Sequence, residues 1–301
     1  MSAVLAILRA APLTSVQDEG RAGMLRHGIS ASGPMDREAF ALAGQLGGAG
    51  NGGIEFTTAG IEIRLSSGQC RVGFAGGNFV VRVNGVVCPW PGSVELAEGD
   101  RLAITPGGAG NYGYIRFDSD IAVAPVLGSM ATNSRARLGG VDGRSLRVGD
   151  VIELKGRGNA APVAPARPAE PESGPIHVTW GLHADLFPHG VRQRFVETSF
   201  VISSRLDRLG VRLDDPEGVF AETAILSLAS DAIVPGDIQI LGDGTPIVLM
   251  RDHQPTGGYP RIATIISADF DRFAQLRPGT SVAFEPVTVE HAHALSRSRQ
   301  T

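Results

Sequence analysis

Leu96-x-x-Gly99-Asp100-x-Leu102-x-Ile104 sets the grammar of this chain. A glycine turn hands the backbone to a strand whose apolar positions recur at every second residue, the period of a half-buried β-strand. The phrase returns as Leu146-x-x-Gly149-Asp150-x-Ile152-x-Leu154, and as Leu276-x-x-Gly279-Thr280-x-Val282-x-Phe284. Tight turns feeding strands with inward-facing apolar positions build compact β-barrels. Two copies end the first half of the chain and one ends the second, and their unequal spacing argues against a solenoid.

Working outward, Ile61-Glu62-Ile63-Arg64-Leu65 alternates strictly between apolar and charged residues. Further strands are expected at Phe79 to Val83, Tyr112 to Phe117, Phe200 to Ser204, Thr223 to Leu228, Pro246 to Met250 and Ile262 to Ser267. Helices are few. One is expected over Met35 to Leu46, where Met35, Ala39, Leu42 and Leu46 share a face, Pro34 suits the first turn and Gly47-Gly48 stops it. A second runs from Asp269 to Leu276, with Ser267 as N-cap and Pro278-Gly279 as its end. The expected fold is therefore mostly β, two β-barrel domains with a few short helices. Between them Pro162, Pro165, Pro168 and Pro171 recur every third residue, as in an extended spacer. This places an N-terminal domain at 1–155, a Pro/Ala-rich linker at 156–174 and a C-terminal domain at 175–301, each domain long enough to bury its own core.

Composition narrows the chemistry. With 43% hydrophobic and 19% charged residues in 301, the chain reads as globular, and its apolar runs are too short to span a bilayer. Residues 1–11 lack the basic start and continuous apolar core of a signal peptide, so a cytoplasmic location is expected. Cys70 and Cys88 have no CxxC spacing, which implies neither a disulfide framework nor a zinc knuckle. A net charge of −4 with scattered basic residues argues against nucleic-acid and anionic-membrane surfaces. Lys155 is the sole lysine, at the end of an expected strand, where it serves neither a P-loop nor a biotinylated carrier turn.

Three segments carry chemistry-bearing residues. In Arg251-Asp252-His253-Gln254-Pro255-Thr256-Gly257-Gly258-Tyr259-Pro260-Arg261, polar groups of every kind surround a glycine pair between two apolar strands. Such a loop is suited to grip a carboxylate, carboxyphosphate or ureido group, against the bland reading of a well-bonded hairpin. Gly28 to Arg37 opens the main helix; its amides could hold an anion, or Ser32 and Asp36 could satisfy them. Asp207-Arg208-Leu209-Gly210-Val211-Arg212 offers a carboxylate and two guanidiniums, as a salt bridge or as a substrate clamp. Other motifs fail on context. Gly48, Gly50 and Gly53 spell GxGxxG, but after a helix rather than before one, no GxSxG elbow occurs, and His291-x-His293 has no third ligand in the sequence nearby, so no metal site is expected.

Together these segments resemble the biotin-dependent carboxyltransferase-like family, which includes the C subunit of 5-oxoprolinase, the second subunit of allophanate hydrolase and the antagonist of the sporulation-kinase inhibitor. The resemblance begins at Leu13-Thr14-Ser15-Val16-Gln17-Asp18-Glu19-Gly20-Arg21. It continues through Ser32-Gly33-Pro34-Met35-Asp36, Ile54-Glu55, Val126-Leu127-Gly128-Ser129, Leu138-Gly139-Gly140 and Gly143-Arg144. It ends with Asp207-Arg208-Leu209-Gly210, Ile233-Val234-Pro235-Gly236, Pro246-Ile247-Val248-Leu249 and Gln254 to Tyr259. It implies a cyclophilin-like pair of β domains, and a hetero-oligomer with a subunit-B-like protein and a subunit-A-like one. Its activity would be the ATP-dependent opening of 5-oxoproline to glutamate. The rival implications are a carboxyltransferase of the urea carboxylase type that uses biotin in trans, and a regulatory protein that binds its partner without catalysis. On this resemblance Gln254, Thr256, Tyr259 and Asp207 are the expected catalytic residues. Gly257, Gly258, Arg261, Arg208, Met35 and Asp36 are expected to bind substrate, Arg261 as an anion clamp. The family loop reads Gln-Thr-Thr-Gly-Gly-Tyr-Pro-Lys, whereas this chain has Pro255 and Arg261, and arginine does not give up a proton near neutral pH.

Overall fold

The Ile61-to-Leu65 alternation lies in the strand Ile61–Ser67, where Ile61, Ile63 and Leu65 are fully buried, Glu62 is half-buried and Arg64 is exposed. Burying such a side chain contributes roughly 1.5–3 kcal/mol relative to leaving it in water. The computed structural model describes residues 2–48, 50–158, 173–221 and 228–298. It divides the chain into two units, Met1–Gly23 with Ala31–Glu170, and Met24–Ser30 with Pro171–Thr301. Most of the expected linker, 159–172, and all but the last residue of the expected strand Thr223 to Leu228 lie outside the described residues.

In the first unit a seven-stranded antiparallel sheet runs in the order Asp120–Ile121, Val151–Lys155, Ala3–Ala10, Ile61–Ser67, Arg101–Pro106, Phe79–Val83, Val86–Cys88. A five-stranded antiparallel sheet runs Ser15–Gln17, Gly53–Thr57, Tyr112–Phe117, Gln69–Gly76, Gly92–Ala97. Their inner faces share one core, in which Leu5, Ile63, Leu102 and Ile104 of the first sheet meet Ile54, Val72, Phe74 and Ile115 of the second. The helix Arg37–Gly47 packs on the strand Gln69–Gly76 and begins after Asp36, whose side chain accepts the Ala39 N–H. Pro34 therefore precedes the helix rather than entering its first turn.

The second unit is an eight-stranded sheet in the order Ser281–Val282, Phe200–Leu206, Gly210–Asp214, Pro246–Leu249, Asp237–Ile240, Arg261–Ile265, Ile176–Trp180, Phe284–Pro286, antiparallel except for its last pair. Residues Asp231–Ala232 and Thr256–Gly257 form a separate two-stranded ladder. The helix Ser267–Ala274 starts two residues before the expected Asp269, whose buried side chain accepts the backbone N–H of His177 at 2.7 Å. Two further helices, His189–Glu197 and Val289–Ser298, are not expected from the sequence. The three turn glycines Gly99, Gly149 and Gly279 all have φ between 85° and 93°, a conformation that glycine adopts without strain. No described helix is long and apolar enough to cross a membrane. The architecture is the mostly β one that strand grammar and resemblance imply.

Candidate functional site

The loop after the strand Pro246–Leu249 is held from below by charge. Arg208 donates to Asp252 through both Nε (2.8 Å) and Nη2 (3.1 Å), and the backbone N–H of Asp252 donates to the Arg208 carbonyl. Both side chains are at most 7% exposed. Arg208 thus binds a carboxylate, as its sequence context allows, but the carboxylate belongs to the loop. Asp207 beside it accepts the backbone N–H groups of Leu209 (2.7 Å) and Gly210 (3.1 Å) through one oxygen, closing the turn between two strands. At the loop's start Arg251 lies over the Phe270 ring and pairs with Asp271. The next residue but one, His253, is buried and donates from Nδ1 to the Gln254 carbonyl at 2.6 Å.

Arg261 closes the loop on its far side. Its guanidinium donates to the Ala232 carbonyl (2.6 Å) and to Asp231 (2.5 Å), and lies 3.5 Å from the buried Asp237. Its Nε–H and backbone N–H both point at Nδ1 of His183, at 3.4 and 3.3 Å. Arg261, expected as an anion clamp, is buried, and the carboxylate it holds is the protein's own Asp231. A backbone hydrogen bond from Ala232, with help from Arg261, keeps the Asp231 carboxyl below the usual range. His183 is a participant that the sequence does not reveal, since it lies 78 residues before Arg261 with no motif around it.

Between these anchors the loop turns Gln254 and Thr256 to solvent, with Tyr259 38% exposed and Gly257 and Gly258 half-buried. Neither glycine has a positive φ. Close approach is the reason for both: a Cβ on Gly257 would lie 2.6 Å from Nε2 of Gln239, and one on Gly258 would lie 2.9 Å from the Leu228 carbonyl oxygen. The site thus presents an amide, a hydroxyl and a phenol on a backbone fixed by two buried arginines, an arrangement suited to hydrogen-bonding a small polar ligand. A separate cavity of about 360 Å³, lined by Trp180, His189, Arg192, Gln193, Val196 and Glu197, shares no residue with it.

The histidines bracketing the loop predict its response to acid. Burial lowers the affinity of both His183 and His253 for a proton, and the Arg261 charge adds to the effect at His183. With folded-state values below the ordinary 6.5, the stability they confer is present above that pH and is lost as pH falls through it. The expected result is a lower melting temperature near pH 5.5 than near pH 7.5, by a margin that shrinks in His253→Gln. Equal margins in the two proteins would remove His253 as a cause.

Met35 and Asp36, expected to bind substrate, belong to the first unit. Met35 is fully buried, and its N–H donates to Glu55 at 2.8 Å. The Asp36 N–H donates to the Tyr114 hydroxyl, which itself donates to Glu55 at 2.9 Å. The anion at this helix entrance is thus also internal, the fully buried Glu55. Burial first, and the Glu55 charge second, hold the Tyr114 hydroxyl protonated far above its ordinary range. The motif residues Asp18 and Arg21 stitch the turn at 126–131: Asp18 accepts from Ser129 and Met130, and Arg21 donates to the carbonyls of Val126, Ser129 and Ala131. Among the described residues no cluster of three or more His, Cys, Asp or Glu could hold a metal ion.

Residues 27–286 match the family described as carboxyltransferase domain, subdomain A and B. The chain is 30% identical to the C subunit of 5-oxoprolinase from Escherichia coli, over 99% of this chain and 96% of that one. It is also 30% identical to the same-named protein of Haemophilus influenzae, over 95% and 92% respectively. Among solved structures, the urea carboxylase of Kluyveromyces lactis superposes with a TM-score of 0.86 at 26% identity, covering 99% of this chain but 28% of that one. With a motif series running nearly end to end and this agreement in fold, the chain belongs to the carboxyltransferase domain family, subdomains A and B.

Proposed function

We propose that this chain is the C-type member of an ATP-dependent 5-oxoprolinase complex, working beside a subunit-B-like and a subunit-A-like partner. The observation that carries this reading is the near end-to-end likeness to the 5-oxoprolinase protein of that type. Opening 5-oxoproline adds one water across the lactam C–N bond, giving the carboxylate and amine of glutamate. In this reading the exposed face of the loop meets the substrate: Gln254 and Thr256 hydrogen-bond its amide and carboxylate, Tyr259 flanks the ring, and the bare Gly257-Gly258 backbone admits it closely. Arg208, Asp207 and Arg261 act one step behind, fixing the loop. The sequence has no P-loop, so the reading gives ATP to another subunit.

A second reading, carboxyl transfer from biotin carried by another protein, is favoured by the likeness to urea carboxylase. A third, a regulatory protein that binds a subunit-B-like partner, needs no chemistry at the loop. An assay of 5-oxoproline-dependent ATP hydrolysis separates them. The chain alone is expected to be silent and to confer turnover when its two partners are added. Turnover by the chain alone, or none by the full set, would overturn the proposal.

A further inference from the structure

Beneath the glycine pair lies a polar group that the loop does not use. Gln239, on the central strand Asp237–Ile240, is 2% exposed, and its Nε2 has no hydrogen-bond partner among the described residues. The strand is paired on both sides, with Gln239 opposite Ile247 on one neighbour and Arg261 on the other, so its backbone position is fixed. Buried side-chain donors in native proteins almost always have an acceptor, and an orphan calls for an explanation. A Cβ on Gly257 would lie 2.6 Å from this nitrogen. The apolar Ile233 borders the same spot at 3.2 Å and offers the nitrogen no acceptor from its side chain. Gly257 has no positive φ, so a side chain there would be opposed by this close approach to Gln239 rather than by backbone strain.

We propose that Gln239 is a ligand-contacting residue, whose amide N–H donates to a carbonyl or carboxylate oxygen of a ligand resting on Gly257. This inference rests on the loop being the site, as in the function proposed above, and adds a donor from the floor of the sheet. The chemistry it recognises is a planar C=O group, which a lactam such as 5-oxoproline and a ureido compound such as urea both supply. A buried strand residue is also better fixed than the exposed loop side chains, and so suits orientation of the oxygen more than loose capture.

The side-chain amide resonances of Gln239 in the full chain, assigned by their loss in Gln239→Leu, provide the test on titration with 5-oxoproline and, separately, with low concentrations of urea. A saturable shift with either probe is expected. Gln239→Leu and the isosteric Gln239→Glu should each weaken that probe at least tenfold. The melting temperature of Gln239→Leu should stay at or above that of the wild type, because a donor without a partner is removed. No shift with either probe, unchanged affinity in both variants, or a Gln239→Leu protein that binds normally but melts early would overturn the inference. A shift with urea alone keeps Gln239 and removes the 5-oxoproline reading. Binding of 5-oxoproline that leaves Gln239 unmoved does the reverse.

Discussion

Arg208→Ala is expected to destabilise the protein by about 3–5 kcal/mol, the loss seen when one partner of a buried ion pair is removed. Arg208 and Asp252 meet through two hydrogen bonds with both side chains nearly inaccessible, so the alanine variant leaves a carboxylate without water or counter-charge. The strain falls on the loop, because Asp252 is its second residue and its backbone N–H also bonds the Arg208 carbonyl. Arg208→Met combined with Asp252→Leu removes both charges and should recover most of the loss. Chemical denaturation of the single and double variants measures this. A single variant within about 1 kcal/mol of wild type, the range of a surface pair, would show that the pair is not desolvated in solution.

Phe195→Ala should have a comparable effect for an apolar reason. Phe195 is the one buried residue of the helix His189–Glu197 and is itself fully enclosed. Its ring stacks on Phe284 at 5.2 Å and lies within about 6 Å of Phe200, Phe220 and Trp180. Truncating a buried phenylalanine costs about 3–5 kcal/mol through lost burial and the cavity left behind. Here it also removes the one buried side chain of the helix. Amide hydrogen exchange should therefore show residues 189–197 losing protection before the sheet does, and protection unchanged at those residues would contradict this expectation.

The same helix shows why parts of the fold are illegible in the sequence. With one fully buried residue in nine it has no buried stripe for a periodicity argument to find, whereas Ile61, Ile63 and Leu65 announce their strand at every second residue. Likewise Val289–Ser298 buries only Ala292 and reads as a polar tail. Turn chemistry is legible because Gly99, Gly149 and Gly279 answer to a local rule. The loop at 251–261 is legible as a polar segment between apolar strands, but its inner and outer faces are not. Sequence alone does not say that Arg208 and Arg261 find Asp252 and Asp231, or that Met35 finds Glu55, because those partners are set by sheet pairing between distant segments. At the expected anion sites the observed partners are internal, as ion pairs and capping contacts, because a buried guanidinium is costly without a counter-charge that stays in place. The exposed residues Gln254, Thr256 and Tyr259 remain as the surface a ligand can reach.

That division of labour is tested most directly by Gln254→Ala, in steady-state 5-oxoproline-dependent ATP hydrolysis by the complex reconstituted from this chain and its two partner subunits. Gln254 is exposed, so the substitution should leave the melting temperature unchanged. Loss of a substrate hydrogen bond should lower kcat/KM about tenfold or more, equivalent to about 1.4 kcal/mol of transition-state binding. A complex carrying Gln254→Ala with the wild-type kcat/KM would contradict the claim that the outer face of this loop is the working surface.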